Sequence, residues 1–308
     1  MGLKTVVLNS ERMNYDGKLD LSVLSSEVKE YASTEQDQIL ERVQGMDVVV
    51  TKEMPVDGDT IARFPDSVQL ICEAGTGYNN IDIEAARARG ITVCNIPAYS
   101  TERVAHTAIM MILNLSSSMQ IQQAMLARGD RSNFTKCMQV SHVEVNGKVL
   151  GVVGAGTIGR EVIKVAQALG MKVLAYTRTP RADEDNLKYV SLEELLKQSD
   201  YISLHCPLTP QTRHMINKET IAMMKPTAYI INTGRGALID EPALIEALKE
   251  GRIAGAGLDV QETEPPVQDN PLYDMPNVIL TPHMGWKGLE TRQRLVSILA
   301  ANIQAFDE

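Results

Sequence analysis

A chain of 308 residues, 44% hydrophobic and 22% charged, has room for two domains, each with a core of its own. A formal net charge of −9 excludes non-specific nucleic-acid binding, so any anion must be held by local arginines and backbone amides. No apolar run reaches the length of a membrane span, so the chain reads as cytoplasmic, with neither membrane nor nucleic acid as partner.

The N-terminal MGLKTVVLNSER runs straight into a first strand and does not read as a signal peptide, and Val6 stands where a myristoylation signal needs Ser or Thr. Short β-branched runs follow: TVVLN, DVVVTK, VQLICEAG and ITVCN. They alternate with helix-like stretches such as TEQDQILERVQG and IDIEAARARG, the latter closing on Gly90 as a C-cap. Alternation of this kind predicts parallel strands in an α/β layer architecture. Pro97 ends the block. Cys72, Cys94, Cys137 and Cys206 stand singly without CxxC spacing, three of them in strand-like contexts. Buried free thiols in a reducing compartment are expected, with no metal site.

The next segment, TERVAHTAIMMILNLSSSMQIQQAMLARG, reads as one long amphipathic helix capped by Thr101 and closed by Gly129. Its apolar residues exceed what one face needs, which suggests a dimer element. A second α/β series then runs through KVLGVVGAGTIGR, KVLAYTR, YISLHCP, AYIINTGRG, AGAGLDV and NVILTPH. A final amphipathic helix, ETRQRLVSILAANIQAF, returns to the first domain. The expected division is residues 1–99 plus 285–308 against 100–284, both α/β with doubly wound, Rossmann-like parallel sheets.

Within the second series, GAGTIG follows an apolar strand and opens a helix. GxGxxG alone is weak evidence, but this context gives each glycine a task. Gly154 permits the tight turn, Gly156 lets amides approach a pyrophosphate, and Gly159 allows helix to pack on strand, with Thr157 and Ile158 at the helix N-terminus. A dinucleotide site usually carries Asp or Glu about twenty residues on, where it bonds the ribose diol. Here that position is Thr177, followed by Arg178, Thr179 and Arg181. A guanidinium suits a 2′-phosphate, so NADP(H) is expected over NAD(H). In the alternative, both arginines solvate a loop beside Asp183, Glu184 and Asp185, and NAD(H) remains possible.

GVVGAGTIGREV, LHCPLTPQTRHMIN, INTGRGALIDEPAL, AGLDVQETEPP and LTPH, with the early GTGYNNIDIEAARARGITVCNIP, together resemble the D-isomer-specific 2-hydroxyacid dehydrogenases. The likeness covers nearly the whole chain. It implies a flavodoxin-like substrate domain beside an NAD(P)-binding Rossmann domain, and usually a homodimer. It also implies reduction of a small 2-oxoacid to the D-2-hydroxyacid. His283 matches the general acid/base, Glu264 the carboxylate bonded to its imidazole, and Arg235 the guanidinium that grips the substrate carboxylate. The chemistry wants these types independently. Hydride transfer builds negative charge on oxygen, which calls for a proton donor and a fixed cation, and a carboxylate beside an imidazole favours its charged form.

By the same resemblance the amides of Thr76 and Gly77 meet the substrate carboxylate, and Asp259 and Thr233 orient the nicotinamide carboxamide. Cys206, Pro207 and Thr212 fall on the cofactor side. The C-terminal TEPPVQDNPLYDMPNVILTPHMGW looks most like the glycerate dehydrogenase, or hydroxypyruvate reductase, branch, with Trp286 closing a small polar pocket. Hydroxypyruvate and glyoxylate are the leading substrates. Gln261 replaces an aromatic often found there, which leaves a bulkier branched-chain or aromatic 2-oxoacid as the runner-up. A catalytically idle, cofactor-gated corepressor-like protein is the reading from another class. His106 departs from the Glu or Gln of many members, and His142, His205 and His214 are expected to stay outside the chemistry.

Overall fold

A computed structural model describes residues 2–179 and 181–308. The chain divides into two compact units, residues 1–100 with 286–308, and residues 101–285. It crosses after Ser100 and after Gly285, one residue beyond each boundary expected from the sequence. No helix among the described residues is long and apolar enough to cross a membrane.

The first unit is built on β1 (Lys4–Val7), β2 (Glu27–Glu30), β3 (Val48–Thr51), β4 (Leu70–Glu73) and β5 (Thr92–Cys94). All pair in parallel, in the order β2-β1-β3-β4-β5. Strand alternation divides its core between two faces. Val48 and Val50 pack with Leu295, Leu299 and Ile303 of the C-terminal helix, whereas Val49 packs with Ile39, Ile61 and Phe64. Fully burying each such side chain contributes about 1.5–3 kcal/mol. Helix α1 (Ile83–Ala88) starts at Asp82, whose carboxylate accepts from Ala85 N at 2.9 Å, and ends at Gly90, which turns at φ +69°.

The C-terminal helix, named α7 below, belongs to this unit. Its Arg292 is 2% exposed, makes a bidentate pair with Asp16 at 2.8 and 2.7 Å, and donates to Met13 O and Lys287 O. The Arg292 guanidinium holds the Asp16 carboxyl down to about 2.

The second unit opens with α2 (Thr101–Ser116) and α3 (Met119–Ala127), then carries a seven-stranded parallel sheet. Its strands are β6 (Val149–Val153), β7 (Lys172–Tyr176), β8 (Leu187–Tyr189), β9 (Tyr201–Leu204), β10 (Tyr229–Asn232), β11 (Gly255–Leu258) and β12 (Val278–Leu280), in the order β12-β11-β10-β9-β6-β7-β8. The main helices between them are α4 (Thr157–Ala168), α5 (Leu192–Gln198) and α6 (Glu241–Lys249), and α7 (Leu289–Asp307) ends the chain. One face buries Ala108, Ile112, Val162 and Ala166 of α2 and α4, the other Leu195, Leu244 and Ala247 of α5 and α6. The order in this unit is the doubly wound, dinucleotide-binding one, and that of the first unit is flavodoxin-like.

Two expectations need correction. The single helix from Thr101 to Gly129 is two, with Thr101 inside the first turn rather than capping it. The run Ser116-Ser117-Ser118 breaks it, because serine hydroxyls compete for helical backbone. Ser116 Oγ bonds Leu113 O, Ser118 Oγ bonds Ser141 O, and Ser118 turns at φ +48°. The four cysteines are free, but only Cys72 is fully buried; Cys94 and Cys206 are half-buried and Cys137 is exposed.

Candidate active site

In the second unit, β6 runs into the glycine turn between β6 and β9, the point where the strand order reverses and α/β sheets bind ligands. Gly154 turns at φ +99°, and a Cβ there would meet Cys206 N at 2.7 Å. A Cβ on Gly159 would lie 2.0 Å from Gly154 O, whereas one on Gly156 meets nothing within 4 Å. Two glycines are thus demanded by packing and the third leaves its approach open. Helix α4 begins at Thr157 and Ile158 with no side chain capping its amides, which leaves them for an anion. These residues fit a dinucleotide pyrophosphate.

At the end of β7, Thr177 Oγ1 donates to Thr179 O at 2.7 Å, and Arg178 and Thr179 are exposed. Among the described residues no carboxylate pairs with Arg178. Glu184 is held by Arg160 at 3.0 Å, and this bond keeps its carboxyl below the usual range. Asp183 Oδ1 accepts from Tyr189 N at 2.8 Å. Beyond β9, Thr212 Oγ1 closes the loop by donating to Pro207 O at 2.7 Å. Burial pushes the Cys206 thiol up to about 11, so it packs as a neutral group against Met215. His205 lies 2.7 Å from Ser203 Oγ, and burial pushes its imidazole down to about 4.

The second cluster in this unit gathers on the loops after β10, β11 and β12. His283 Nδ1 lies 2.8 Å from Glu264 Oε2, and Glu264 Oε1 accepts from Gln261 N at 3.1 Å. His283 adopts φ +48°, and its amide donates to Asp259 O at 2.8 Å. Asp259 is buried and shapes the same turn. Its Oδ1 accepts from Thr281 Oγ1 at 2.5 Å and Met284 N at 2.8 Å, its Oδ2 from Gly285 N at 2.7 Å.

Arg235 is half-buried, on a loop pinned by buried Asn232, which accepts from Gly234 N and donates to Arg235 O. Its neighbour Gly236 touches the Gln261–Glu262 peptide so closely that a Cβ would lie 1.8 Å from Gln261 O. The Arg235 loop and the Glu264 loop are therefore one packed unit. Thr233 Oγ1 is buried without a hydrogen-bond partner. His214, expected to be an idle loop residue, lies 2.6 Å from Glu262 Oε1, which also pairs with Arg213 at 3.0 Å. His106 is exposed on α2.

In the first unit, the loop after β4 carries Gly75, Thr76 and Gly77. Thr76 Oγ1 donates to Ile96 O at 3.0 Å, Asn95 Nδ2 to Thr76 O at 2.7 Å, and Ile96 N to Gly75 O at 2.9 Å. Trp286 is 5% exposed, with Lys52 Nζ 4.0 Å from its ring centroid and its own indole N–H buried without a partner. Sequence reasoning missed Lys52 entirely. A lysine after a strand is ordinarily surface, and nothing local marks this one as buried.

Residues 109–285 match the family described as D-isomer specific 2-hydroxyacid dehydrogenase, NAD binding domain. The chain belongs to that family. The dehydrogenase is 40% identical over 277 residues to a hydroxypyruvate reductase of Blautia hydrogenotrophica, a match spanning 89% of this chain and 86% of that one. It is 41% identical over 285 residues to a glycerate dehydrogenase of Methylorubrum extorquens, spanning 91% and 89%. Its fold matches the crystal structure of a glyoxylate reductase from Paecilomyes thermophila with a TM-score of 0.86 and 32% identity, over 99% of this chain and 95% of that one. The dehydrogenase is thus an NAD(P)-dependent oxidoreductase acting on 2-hydroxyacids.

Proposed function

We propose that this dehydrogenase reduces hydroxypyruvate or glyoxylate to the corresponding 2-hydroxyacid with NADPH as the preferred reductant, NADH being the alternative. The reduced nicotinamide supplies a hydride to the carbonyl carbon. Negative charge develops on the carbonyl oxygen, and His283 donates the proton that neutralises it. Glu264, bonded to Nδ1 at 2.8 Å, fixes the ring's orientation, with Nε2 as the transferring nitrogen. Arg235 grips the substrate carboxylate, with the amides of Thr76 and Gly77 as further donors to it and Trp286 bounding the substrate side chain. Gly154, Gly156, Thr157, Ile158 and Gly159 take the pyrophosphate. Thr177, Arg178 and Thr179 take the adenine ribose end, Cys206, Pro207 and Thr212 flank the cofactor, and Thr233 and Asp259 orient its carboxamide.

The observation that carries this reading is the His283–Glu264 pair on a turn built by Asp259 and packed, through Gly236, against the loop of Arg235. The relatives named hydroxypyruvate reductase and glycerate dehydrogenase support the substrate. The preference for NADPH is supported by an Arg178 that no carboxylate pairs with among the described residues, Glu184 being engaged by Arg160. A homodimer is supported by apolar surface on the α2–α3 segment and beyond it, where Leu113, Met119, Leu126, Phe134 and Met138 are exposed.

Steady-state reduction of a 2-oxoacid panel with NADPH and NADH side by side tests the reading. Hydroxypyruvate or glyoxylate with NADPH should give the highest kcat/KM. Preference for phenylpyruvate overturns the substrate, equal or better use of NADH overturns the cofactor, and normal turnover by His283→Ala overturns the mechanism.

A further inference from the structure

Beneath the Gly75–Gly77 loop lies a charge cluster that the chemistry above does not use. The Lys52 side chain is 1% exposed, its Nζ is 2.8 Å from Glu53 Oε1, and its backbone is fixed by two hydrogen bonds with the Asn9 amide. Glu73, at the end of β4, is fully buried and accepts three hydrogen bonds: Thr51 Oγ1 at 2.8 Å, Asn80 Nδ2 at 2.8 Å and Glu53 N at 2.9 Å. Burial pushes its carboxyl up, while the Lys52 charge and these donors pull it back toward the ionised form. Lys52 thus pairs with Glu53, and its charge also favours the ionised form of Glu73.

The loop rests directly on this group. A Cβ on Gly75 would fall 3.0 Å from Glu73 Oε1 and 3.1 Å from Lys52 Nζ. The next two residues are the ones whose amides receive the substrate carboxylate in the reading above, on which this inference rests. An anion approaching those amides meets the field of whatever lies under Gly75, and the Lys52 and Glu73 side chains there are buried, where charge is screened less than in bulk water. With Lys52 present, the two glutamates are offset. Without it, the Glu73 carboxyl lies under the seat of the substrate carboxylate with that offset removed. The same ammonium sits over Trp286, whose ring Lys287 Nζ reaches only at 5.9 Å.

We propose that Lys52 is a positioning residue for substrate binding: it offsets Glu53 and Glu73 beneath Gly75, so that the Gly75–Gly77 loop can accept a carboxylate, and it seats the Trp286 ring.

The test compares wild type with Lys52→Met, Lys52→Arg and Lys52→Met/Glu73→Gln. Kinetics are measured on hydroxypyruvate and glyoxylate, and oxalate is titrated against the fluorescence of Trp286, the single tryptophan of the chain. Lys52→Met is expected to raise the 2-oxoacid KM and the oxalate Kd about tenfold or more, leaving kcat and the cofactor KM within about threefold. Lys52→Arg and the double variant should recover most of that loss, because each removes the excess negative charge. Recovery by Glu73→Gln is what a merely structural lysine would not give. The proposal is overturned if kcat falls and the cofactor KM rises in step with the loss of substrate binding, or if the double variant recovers nothing. Should Lys52→Met not fold, the double variant decides alone: substrate KM within about threefold of wild type upholds the proposal, and about tenfold above overturns it. Wild-type turnover in the same series tests the active-site reading separately, so a flat response in an active enzyme counts against Lys52 only.

Discussion

Gly236→Ala probes the packing behind the chemistry without touching a charged group. A Cβ at this position would lie 1.8 Å from Gln261 O and 2.4 Å from Glu262 N, whereas side-chain carbons come no closer than about 3.0 Å to such atoms. One loop must therefore retreat by more than about 1 Å. Gln261 N is the donor to Glu264 Oε1, so the retreat carries Glu264, and the His283 it holds, away from Arg235. Displacement on that scale costs on the order of 100-fold in rate, equivalent to about 2.7 kcal/mol in the barrier. Overpacking itself should cost about 1–3 kcal/mol of stability. Gly236→Ala should therefore lower kcat about 100-fold at 25 °C, with the cofactor KM little changed, in a protein that circular dichroism still reports as folded. A folded variant with kcat within about threefold of wild type would refute the argument, because the loops would then yield without moving the proposed acid/base pair.

Two further outcomes follow from charges described above. Arg178→Ala should cut kcat/KM for NADPH about 10- to 100-fold, the worth of a hydrogen bond to a charged group, and leave NADH unaffected; an equal fall with both cofactors would sink the assignment. His205 is held at about 4 against an ordinary 6.5, so between those values the unfolded chain binds a proton that the folded one does not. Stability should accordingly fall as pH drops through that window, by about 1.4 kcal/mol per pH unit at the steepest. Urea midpoints measured from pH 7 to 4 check this, and a slope unchanged in His205→Gln would rule it out.

The parallel strands with apolar runs were legible because strands buried on both faces must be continuously hydrophobic. β2, EVKE, was not, because it lies at an edge with its side chains mostly in solvent, where charge is an advantage. β8, LKY, is short and half in solvent for the same reason. The serine run at 116–118 carried its own signal, and a helix-length apolar pattern overrode it. At the site, GAGTIG and the residues His283, Glu264 and Arg235 stood out by motif. The features that hold them in place did not. Gly236 owes its identity to a peptide 25 residues later, Lys52 its ring contact to Trp286, and Glu184 its neutralisation to Arg160. Each depends on contacts between segments distant in sequence, and no local pattern encodes them.

The left-handed backbone of His283 bears on how its function should be dissected. At φ +48° an alanine would be strained by roughly 1 kcal/mol or more, and the strained amide is the one that donates to Asp259 O. His283→Ala would therefore mix two losses, the proposed proton donor and the shape of the turn. Asparagine tolerates this conformation among non-glycine residues. His283→Asn keeps the turn while removing the imidazole, so the difference between the two variants separates the chemistry of the side chain from the architecture of its backbone.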